Sequence, residues 1–268
     1  MRILSFLFLL VISLYAKERI ISLSPSITEI LFALERGEEV VGTSAFSLYP
    51  EEAQDILIVS GHNNPNIEKI IALKPTLVLG QSYHQDTFAK LEKFNIKTSA
   101  LRFKTIDDIK NSIQTIAKLL DADDKKLIHA INNALSSMPK NKDPHSVLIV
   151  YGLHEDLRRG IYIAGKDVFF DDIIMACGNT NAFTSNVTAQ PVLSYENVIA
   201  LSPDQIIILH SHATEKNIDI EKALQSWRAL PTKASKNNRI SIVDEEYLHI
   251  PSHRVALTIE RLCREMKY

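Results

Sequence analysis

The sequence predicts an α/β protein made of two similar lobes, because one pattern of helix, turn and strand occurs twice. Residues 68–80 and 196–208 match at an offset of 128, with Glu, Ile, Ala, Leu and Pro at the same places in both copies. Each copy has the form of a short helix, a proline that ends it, and an apolar run typical of a strand buried on both faces. Two copies this far apart do not make a solenoid, whose units are shorter and more numerous. They indicate two related lobes in one chain.

Composition and the first residues limit the classes of protein to which the chain can belong. The chain has 268 residues, 46% hydrophobic and 23% charged, which is enough for two modest domains. Its net charge of −2 gives no support for nucleic-acid binding. Residues 1–16 read as a secretory signal peptide, with Arg2, an apolar run and the small residue Ala16. We therefore expect a soluble protein that is exported to the periplasm and cleaved near Ala16.

Alternating strands and helices fill the first lobe, which we place at residues 17–104. Ser26 and Glu29 fit a capping box, in which the serine hydroxyl caps a helix start and the glutamate reaches back. Besides the repeat, the predicted elements are strands at 19–23, 40–42 and 96–101 and a helix at 86–94.

A helical connector follows at residues 105–140. Apolar residues recur there at steps of three and four, which is typical of amphipathic helices. The aspartate-rich stretch 121–124 is predicted to break the run in two and to cap the second helix. Residues 139–144 are polar and end the connector.

The second lobe is predicted at residues 141–268. Asp167 is expected to cap a helix that ends at Cys177, with Gly178 as the residue after it. Trp227 shares a helix face with apolar neighbours and is predicted to lie in the core rather than to bind ligand. Besides the repeat, the predicted elements are strands at 147–151, 161–163 and 239–243, a helix at 219–229 and a final helix through Cys263.

Several short motifs resemble one family in their order and spacing. They lie at residues 22–29, 41–42, 49–53, 65–75, 164–166, 177–181 and 194–203. Through them, residues 17–268 resemble the periplasmic substrate-binding proteins of ABC importers for metal chelates, a family that handles ferric siderophores, haem and cobalamin. The resemblance is strongest to the cobalamin-binding branch, which has similarly placed cysteines. It implies two Rossmann-like lobes joined by a long connecting helix, the architecture of a class III periplasmic binding protein.

The resemblance also implies a function. The chain would be a monomer that captures a metal-containing small molecule between its lobes and delivers it to an ABC permease dimer in the inner membrane. It would hold no permanent cofactor, and its transported ligand would contain cobalt or iron. Two alternatives remain open, namely a periplasmic binder of a bare ion such as nickel or zinc, and an exported metal-dependent hydrolase or chelatase. The chain contains no Gly-x-Ser-x-Gly or His-Glu-x-x-His motif, which favours a binding protein over an enzyme.

Ligand-binding residues are expected at the carboxyl ends of the strands, where open α/β sheets hold their ligands. Histidine ligates borderline transition metals, and aromatic rings stack on flat macrocycles. The residues predicted to contact the ligand are Ser24, Phe46, His62, Tyr83, His84, Tyr162, His210, His212, Tyr247 and His249. Those predicted to bind its metal are His84, His210, His212 and His249. The alternatives are that the histidines are solvated loop residues and that the rings pack within the lobes.

Glu68 and Glu196 begin the two repeat helices at equivalent positions. A carboxylate at a helix start is favourable through the helix dipole alone. The resemblance implies more, namely that one glutamate on each lobe docks into a basic pocket of the permease dimer. The equivalence of the two positions suits a partner with two-fold symmetry.

Cys177 and Cys263 are the only two cysteines of the chain. Export places them where disulfides persist, and both fall late in predicted helices of the second lobe. A disulfide between them is therefore predicted, the alternative being two unrelated buried thiols.

Overall fold

The computed structural model describes residues 17–61, 64–185, 190–210 and 218–267. The predicted signal peptide, residues 1–16, lies outside these ranges. Within the described ranges, no helix combines the length and the apolar character needed to cross a membrane.

The first sheet contains five parallel strands in the order β3-β2-β1-β4-β5. Its strands are β1 (Ile20–Ser22), β2 (Val40–Ser44), β3 (Ile58–Ser60), β4 (Leu77–Gln81) and β5 (Lys97–Leu101). Its helices are α1 (Pro25–Ala33), α2 (Ile67–Ala72) and α3 (Gln85–Glu92). The central strands β1 and β4 are apolar because both of their faces are covered, as a parallel sheet requires.

The connector consists of two helices, α4 (Ile106–Leu120) and α5 (Lys125–Ser137), as the aspartate-rich stretch predicts. Asp121 ends α4 in the left-handed conformation with φ of 49°, and Arg36 donates a hydrogen bond of 2.6 Å to the carbonyl of Leu120. The break at Asp121 lies within the predicted stretch 121–124. The stretch also caps α5, as predicted, since Asp123 accepts a hydrogen bond of 3.0 Å from the backbone N–H of Lys125, although Asp124 itself makes no capping bond. The lobe boundaries at residues 104 and 140 stay a prediction.

The second sheet contains six strands, and its parallel part runs β11-β10-β6. Beyond β6 the sheet continues with β7 and β9, which pair antiparallel. Strand β8 pairs parallel with β6. The strands are β6 (Ser146–Tyr151), β7 (Ile161–Ile163), β8 (Thr180–Asn181), β9 (Val192–Leu193), β10 (Gln205–Leu209) and β11 (Ile240–Val243). The helices are α6 (Phe169–Ala176), α7 (Tyr195–Leu201), α8 (Ile220–Arg228), α9 (Lys233–Lys236) and α10 (Val255–Glu265).

One buried core joins the two sheets. It includes Ile20 of β1, Ile149 of β6 and three fully buried isoleucines of α4, which are Ile109, Ile113 and Ile116. Helix α5 packs against α10. The relative position of the two sheets therefore depends on packing around the connector, because interiors are close-packed.

The two copies of the repeat share their backbone geometry. Asn66 and Ser194 cap α2 and α7 in the same way, each accepting a hydrogen bond from the backbone N–H of the third helical residue. Lys74 and Ser202, which precede the two prolines, have φ angles of 46° and 43°. The left-handed conformation ends each helix before its strand begins. The prediction of two similar units is confirmed.

Two predicted helix caps are wrong. Helix α1 begins at Pro25 with Ser24 as its N-cap, so Ser26 and Glu29 do not form a capping box. Proline fits the first helical position because its missing N–H has no partner there anyway. Helix α6 begins at Phe169 after Val168, and Asp167 lies outside it.

The predicted disulfide is confirmed. Cys177 and Cys263 are bonded, with their Cα atoms 5.3 Å apart, and both side chains are buried. The bond joins the end of α6 to α10. Trp227 is also buried in the core of the second lobe, as predicted.

Reducing the disulfide should lower the free energy of unfolding by about 2 to 4 kcal/mol, because the bridge restricts the unfolded chain. The measurement is urea unfolding followed by circular dichroism, with and without a phosphine reductant. The variant Cys177→Ala/Cys263→Ala has no bridge to reduce, so the reductant should not change its stability. A wild-type protein that is equally stable in both conditions would contradict the prediction.

Candidate functional site

Two adjoining cavities lie between the lobes. The larger has a volume of about 440 Å³ and the smaller about 360 Å³, and both are lined by Phe46, His249 and Ile250. The larger is also lined by Glu29, Leu48, Tyr49, Tyr151, Gly152, His154, Tyr162, Gln190, Glu246 and Arg254. The smaller is also lined by Leu23, Ser24, Pro25, Ser26, Ser44, Gly61, Gln81, Tyr83 and Pro251. Most of these residues follow the carboxyl ends of β2, β4, β6 and β11, where an α/β sheet binds ligands.

Buried hydroxyl groups fix the loop after β2. The Thr28 hydroxyl lies 2.7 Å from that of Ser22, 3.1 Å from that of Thr43 and 3.0 Å from that of Ser47. Hydroxyls both donate and accept, so this network can satisfy all of its buried members. It anchors the loop and thereby presents Phe46 and Tyr49, which are 49% and 43% exposed, to the larger cavity.

A buried ion pair crosses from one lobe to the other. Arg254 Nε donates a hydrogen bond of 2.9 Å to Glu29 Oε2, and Arg254 Nη2 donates to Glu29 Oε1. The hydroxyl of Ser252 also donates to this carboxylate. The side chains of Arg254 and Glu29 are 11% and 3% exposed. Burial raises the pKa of Glu29 above its ordinary value, and the Arg254 guanidinium acts in the opposite direction.

Arg254 also forms part of the aromatic wall. Its guanidinium carbon lies 3.9 Å from the centroid of the Tyr49 ring and 5.9 Å from that of Tyr247. These are cation–π distances. The ion pair and the ring stack therefore hold the loop after β2, helix α1 and the start of α10 together at one side of the cavity.

Neutral polar groups also line the cleft. Burial raises the pKa of Tyr151 to about 12, so its phenol is a neutral hydrogen-bonding group at pH 7, and it bonds Gln190. Gln81 Nε2 donates a hydrogen bond of 2.8 Å to the hydroxyl of Ser24. His249 Nε2 lies 3.3 Å from the carbonyl oxygen of His210, which can only accept, so this nitrogen carries the hydrogen.

The structure places the predicted ligand residues in three groups. Five line the cavities, namely Ser24, Phe46, Tyr83, Tyr162 and His249. Three do not, namely His84, His210 and Tyr247. His62 and His212 lie outside the described residues.

His84 illustrates why position at a strand end did not suffice. Its side chain turns back into the protein, where Nδ1 accepts a hydrogen bond of 3.0 Å from the backbone N–H of Gln81. His84 and His210 are each only 2% exposed. Burial also lowers the pKa of His84. The ring of His84 therefore closes the turn after β4 and does not face the cleft.

The three described members of the predicted metal-binding set, His84, His210 and His249, form no metal site among themselves. Within the described ranges, no three or more His, Cys, Asp and Glu side chains form a group that could hold a metal ion. Of the predicted four, His249 lines the cleft, His84 and His210 are buried and line neither cavity, and His212 falls outside these ranges.

Sequence reasoning missed the ion pair and much of the larger cavity. In the sequence Glu29 fits a local helix cap, and nothing there indicated its ion pair with Arg254. Arg254 lies five residues after His249, the residue of this loop that was expected to bind the metal. Tyr49 stood within a family motif, but nothing in the sequence indicated that Arg254 would cover its ring. The other residues left out of the predicted set are Leu48, Tyr151, Gly152, His154, Gln190, Glu246 and Ile250.

The fold and the cleft define a class of protein, a two-lobed α/β binding protein with its site between the lobes. The chain belongs to the periplasmic binding protein family, which matches residues 20–247. As a member of this family it is a binding protein and not an enzyme.

Three relatives show which members of the family this chain resembles. The Vitamin B12-binding protein of Vibrio vulnificus (strain CMCP6) is 30% identical over 272 residues, covering 97% of this chain and 94% of that protein. The periplasmic heme-binding protein RhuT from Roseiflexus sp. RS-1 matches with a TM-score of 0.77 at 25% identity, covering 93% of this chain and 97% of that one. The periplasmic Vitamin B12 binding protein BtuF of Vibrio cholerae matches with a TM-score of 0.68 at 26% identity, covering 92% and 96%. The predicted class III fold is confirmed.

Replacing Arg254 with methionine should lower the free energy of unfolding by about 3 kcal/mol at pH 7, because Glu29 is left buried without a cation. The loss should be smaller at pH 5 than at pH 8. Burial raises the pKa of Glu29, and removing Arg254 removes the opposing effect. A carboxyl with a raised pKa in the folded state stabilises the fold below its unfolded pKa, and this contribution disappears as pH rises through the folded pKa. The measurement is urea unfolding at three pH values.

The control is Lys17→Met, which breaks the exposed ion pair of 2.9 Å between Lys17 and Glu38. Exposed pairs contribute little because water screens them. This variant should unfold like the wild type at every pH. Equal losses for the two variants, or a loss for Arg254→Met that does not vary with pH, would contradict the assignment.

Proposed function

We propose that the chain is the substrate-binding component of an ABC importer, and that it captures a metal chelate of the cobalamin, haem or ferric type between its lobes. It would deliver this ligand to a permease dimer in the inner membrane and act as a monomer. We further propose export by a signal peptide cleaved near Ala16, which would place the mature chain in the periplasm.

The observation that carries this proposal is the cleft between the lobes. Four aromatic rings line its larger cavity, those of Phe46, Tyr49, Tyr151 and Tyr162. Each cavity falls in the volume range of about 300–1,000 Å³ that is usual for small-molecule sites. Aromatic faces suit stacking on a flat macrocycle, and phenols suit bonding to its polar edge. The names of the B12-binding and heme-binding relatives support the same ligand class.

The bare-ion alternative receives no such support. A nickel or zinc site needs several converging nitrogen, sulfur or oxygen ligands. The described part of the chain offers no such group. An aromatic cleft of this size suits a ligand much larger than an ion.

Direct titration tests the proposal. Calorimetry with cyanocobalamin, haemin and a ferric catecholate should find at least one chelate that binds with a dissociation constant in the micromolar range or below, whereas nickel and zinc salts should not bind comparably. Tyr162→Ala should weaken the binding about tenfold, or about 1.4 kcal/mol, because a stacking ring is lost. Phe94→Ala is the matched control, since Phe94 is an exposed ring that lines neither cavity. Failure of every chelate to bind would refute the proposed function.

The repeat glutamates suit a role in docking to the permease. Glu68 and Glu196 are exposed in the first turns of α2 and α7, and neither lines a cavity. They stand at equivalent places in units whose caps and helix ends also match. Carboxylates meeting arginines form charge-assisted and often bidentate hydrogen bonds that fix orientation. We propose that each glutamate contacts one subunit of a permease dimer.

The variant Glu68→Lys/Glu196→Lys should therefore bind its chelate as the wild type does but transport it poorly, because like charges would face each other across the interface. Ligand binding in solution and uptake by reconstituted vesicles measure the two effects separately. The matched control is Glu92→Lys/Glu221→Lys, which reverses one exposed carboxylate on each lobe outside the repeat helices. Wild-type uptake by the first variant, or equal losses in both, would leave the glutamates as helix starters only.

A further inference from the structure

Among its described lining residues the cleft has few charged groups, and the one arginine among them is already engaged. Among the described residues, the side chains lining the two cavities include one arginine, Arg254, and two carboxylates, Glu29 and Glu246. Glu29 accepts hydrogen bonds from two nitrogens of Arg254, so the positive charge of Arg254 is met by a negative charge within the protein. The N–H edge of the guanidinium faces Glu29, and its flat face covers the ring of Tyr49. An anionic ligand would find no uncompensated cation on the described lining.

Two further described basic residues lie outside the two cavities. Arg102 and Lys104 line a separate cavity, where Arg102 already lies 3.6 Å from Asp108.

The remaining polar groups suit a neutral partner. The Tyr151 phenol, the Gln190 amide and the Ser24 hydroxyl can each donate and accept hydrogen bonds without carrying charge. Amide groups on a ligand offer both donors and acceptors in return. A carboxylate offers only acceptors, and burying its charge without a cation is costly.

We propose that Glu29 sets the charge selectivity of the cleft by neutralising Arg254, so that the site takes electrically neutral chelates with amide groups at their edge and rejects chelates with carboxylates or catecholates. This inference rests on the proposed function, because it concerns the same cleft. It assigns Glu29 a role in specificity that a purely structural ion pair would not have.

The substitution Glu29→Gln separates the charge of this side chain from its shape. Glutamine keeps the shape of the side chain, and its oxygen can still accept a hydrogen bond from Arg254. It removes the negative charge, so the guanidinium becomes available to an anion at the edge of the larger cavity. Charge-assisted hydrogen bonds to a carboxylate would then favour the ligand that the wild type rejects.

The experiment compares two probes that differ at one peripheral group. These are cyanocobalamin and its monocarboxylic acid, in which one peripheral amide has been hydrolysed. The wild type should bind the amide at least about tenfold more tightly than the acid, or about 1.4 kcal/mol. Glu29→Gln should bind the acid at least as tightly as the amide. Calorimetry measures the affinities, and circular dichroism verifies that the variant is folded.

The matched control is Glu92→Gln, which makes the same change in charge at an exposed position outside the cavities. It should keep the wild-type preference for the amide. A folded Glu29→Gln variant with unchanged preference would overturn the role of Glu29.

If Glu29→Gln does not fold, the binding affinities of the wild type alone still test the inference. Binding the acid as tightly as the amide, or haemin or a ferric catecholate more tightly than cyanocobalamin, would overturn the inference while leaving the proposed function intact. Failure to bind any chelate would overturn the proposed function itself, and the charge inference with it.

Discussion

The buried ion pair between Glu29 and Arg254 is the contact on which the cleft depends. The two residues are 225 positions apart, yet their side chains meet almost out of contact with water. Charges in such a place are tolerated only when they are paired and hydrogen-bonded. The pair therefore ties the first turns of α1 to the start of α10, and through Tyr49 it also orders one wall of the larger cavity.

The same few residues connect folding to recognition. Thr28 lies next to Glu29 on α1, and its hydroxyl holds the loop that carries Phe46 and Tyr49. One turn of helix thus contributes a hydroxyl network on one side and an ion pair on the other. Because both are internally satisfied, the described cleft offers a ligand mainly aromatic rings and neutral polar groups, with the Glu246 carboxylate at its edge. Recognition would then rest on shape, stacking and hydrogen bonds more than on net charge.

Much of the fold could be predicted because it follows from short-range physics. The steps of apolar residues predicted α4 and α5, and the aspartate-rich stretch predicted their break. The repeat predicted two related units, and their caps and left-handed helix ends are equivalent. Five of the eight predicted ligand residues that the structure describes line the cavities, because the carboxyl ends of strands meet at one edge of a sheet.

The sequence by itself determined the order of strands and helices, the duplication, the cysteine pair and the family. Each of these depends on local periodicity or on residue type. Only the tertiary structure decided which residues line the cleft. A glutamate three residues after a serine satisfies a capping box and an ion pair equally well in sequence, and the choice depends on where α10 brings Arg254. A histidine after a strand can face a ligand or turn back to its own backbone, and His84 turns back because the N–H of Gln81 lies within hydrogen-bonding reach.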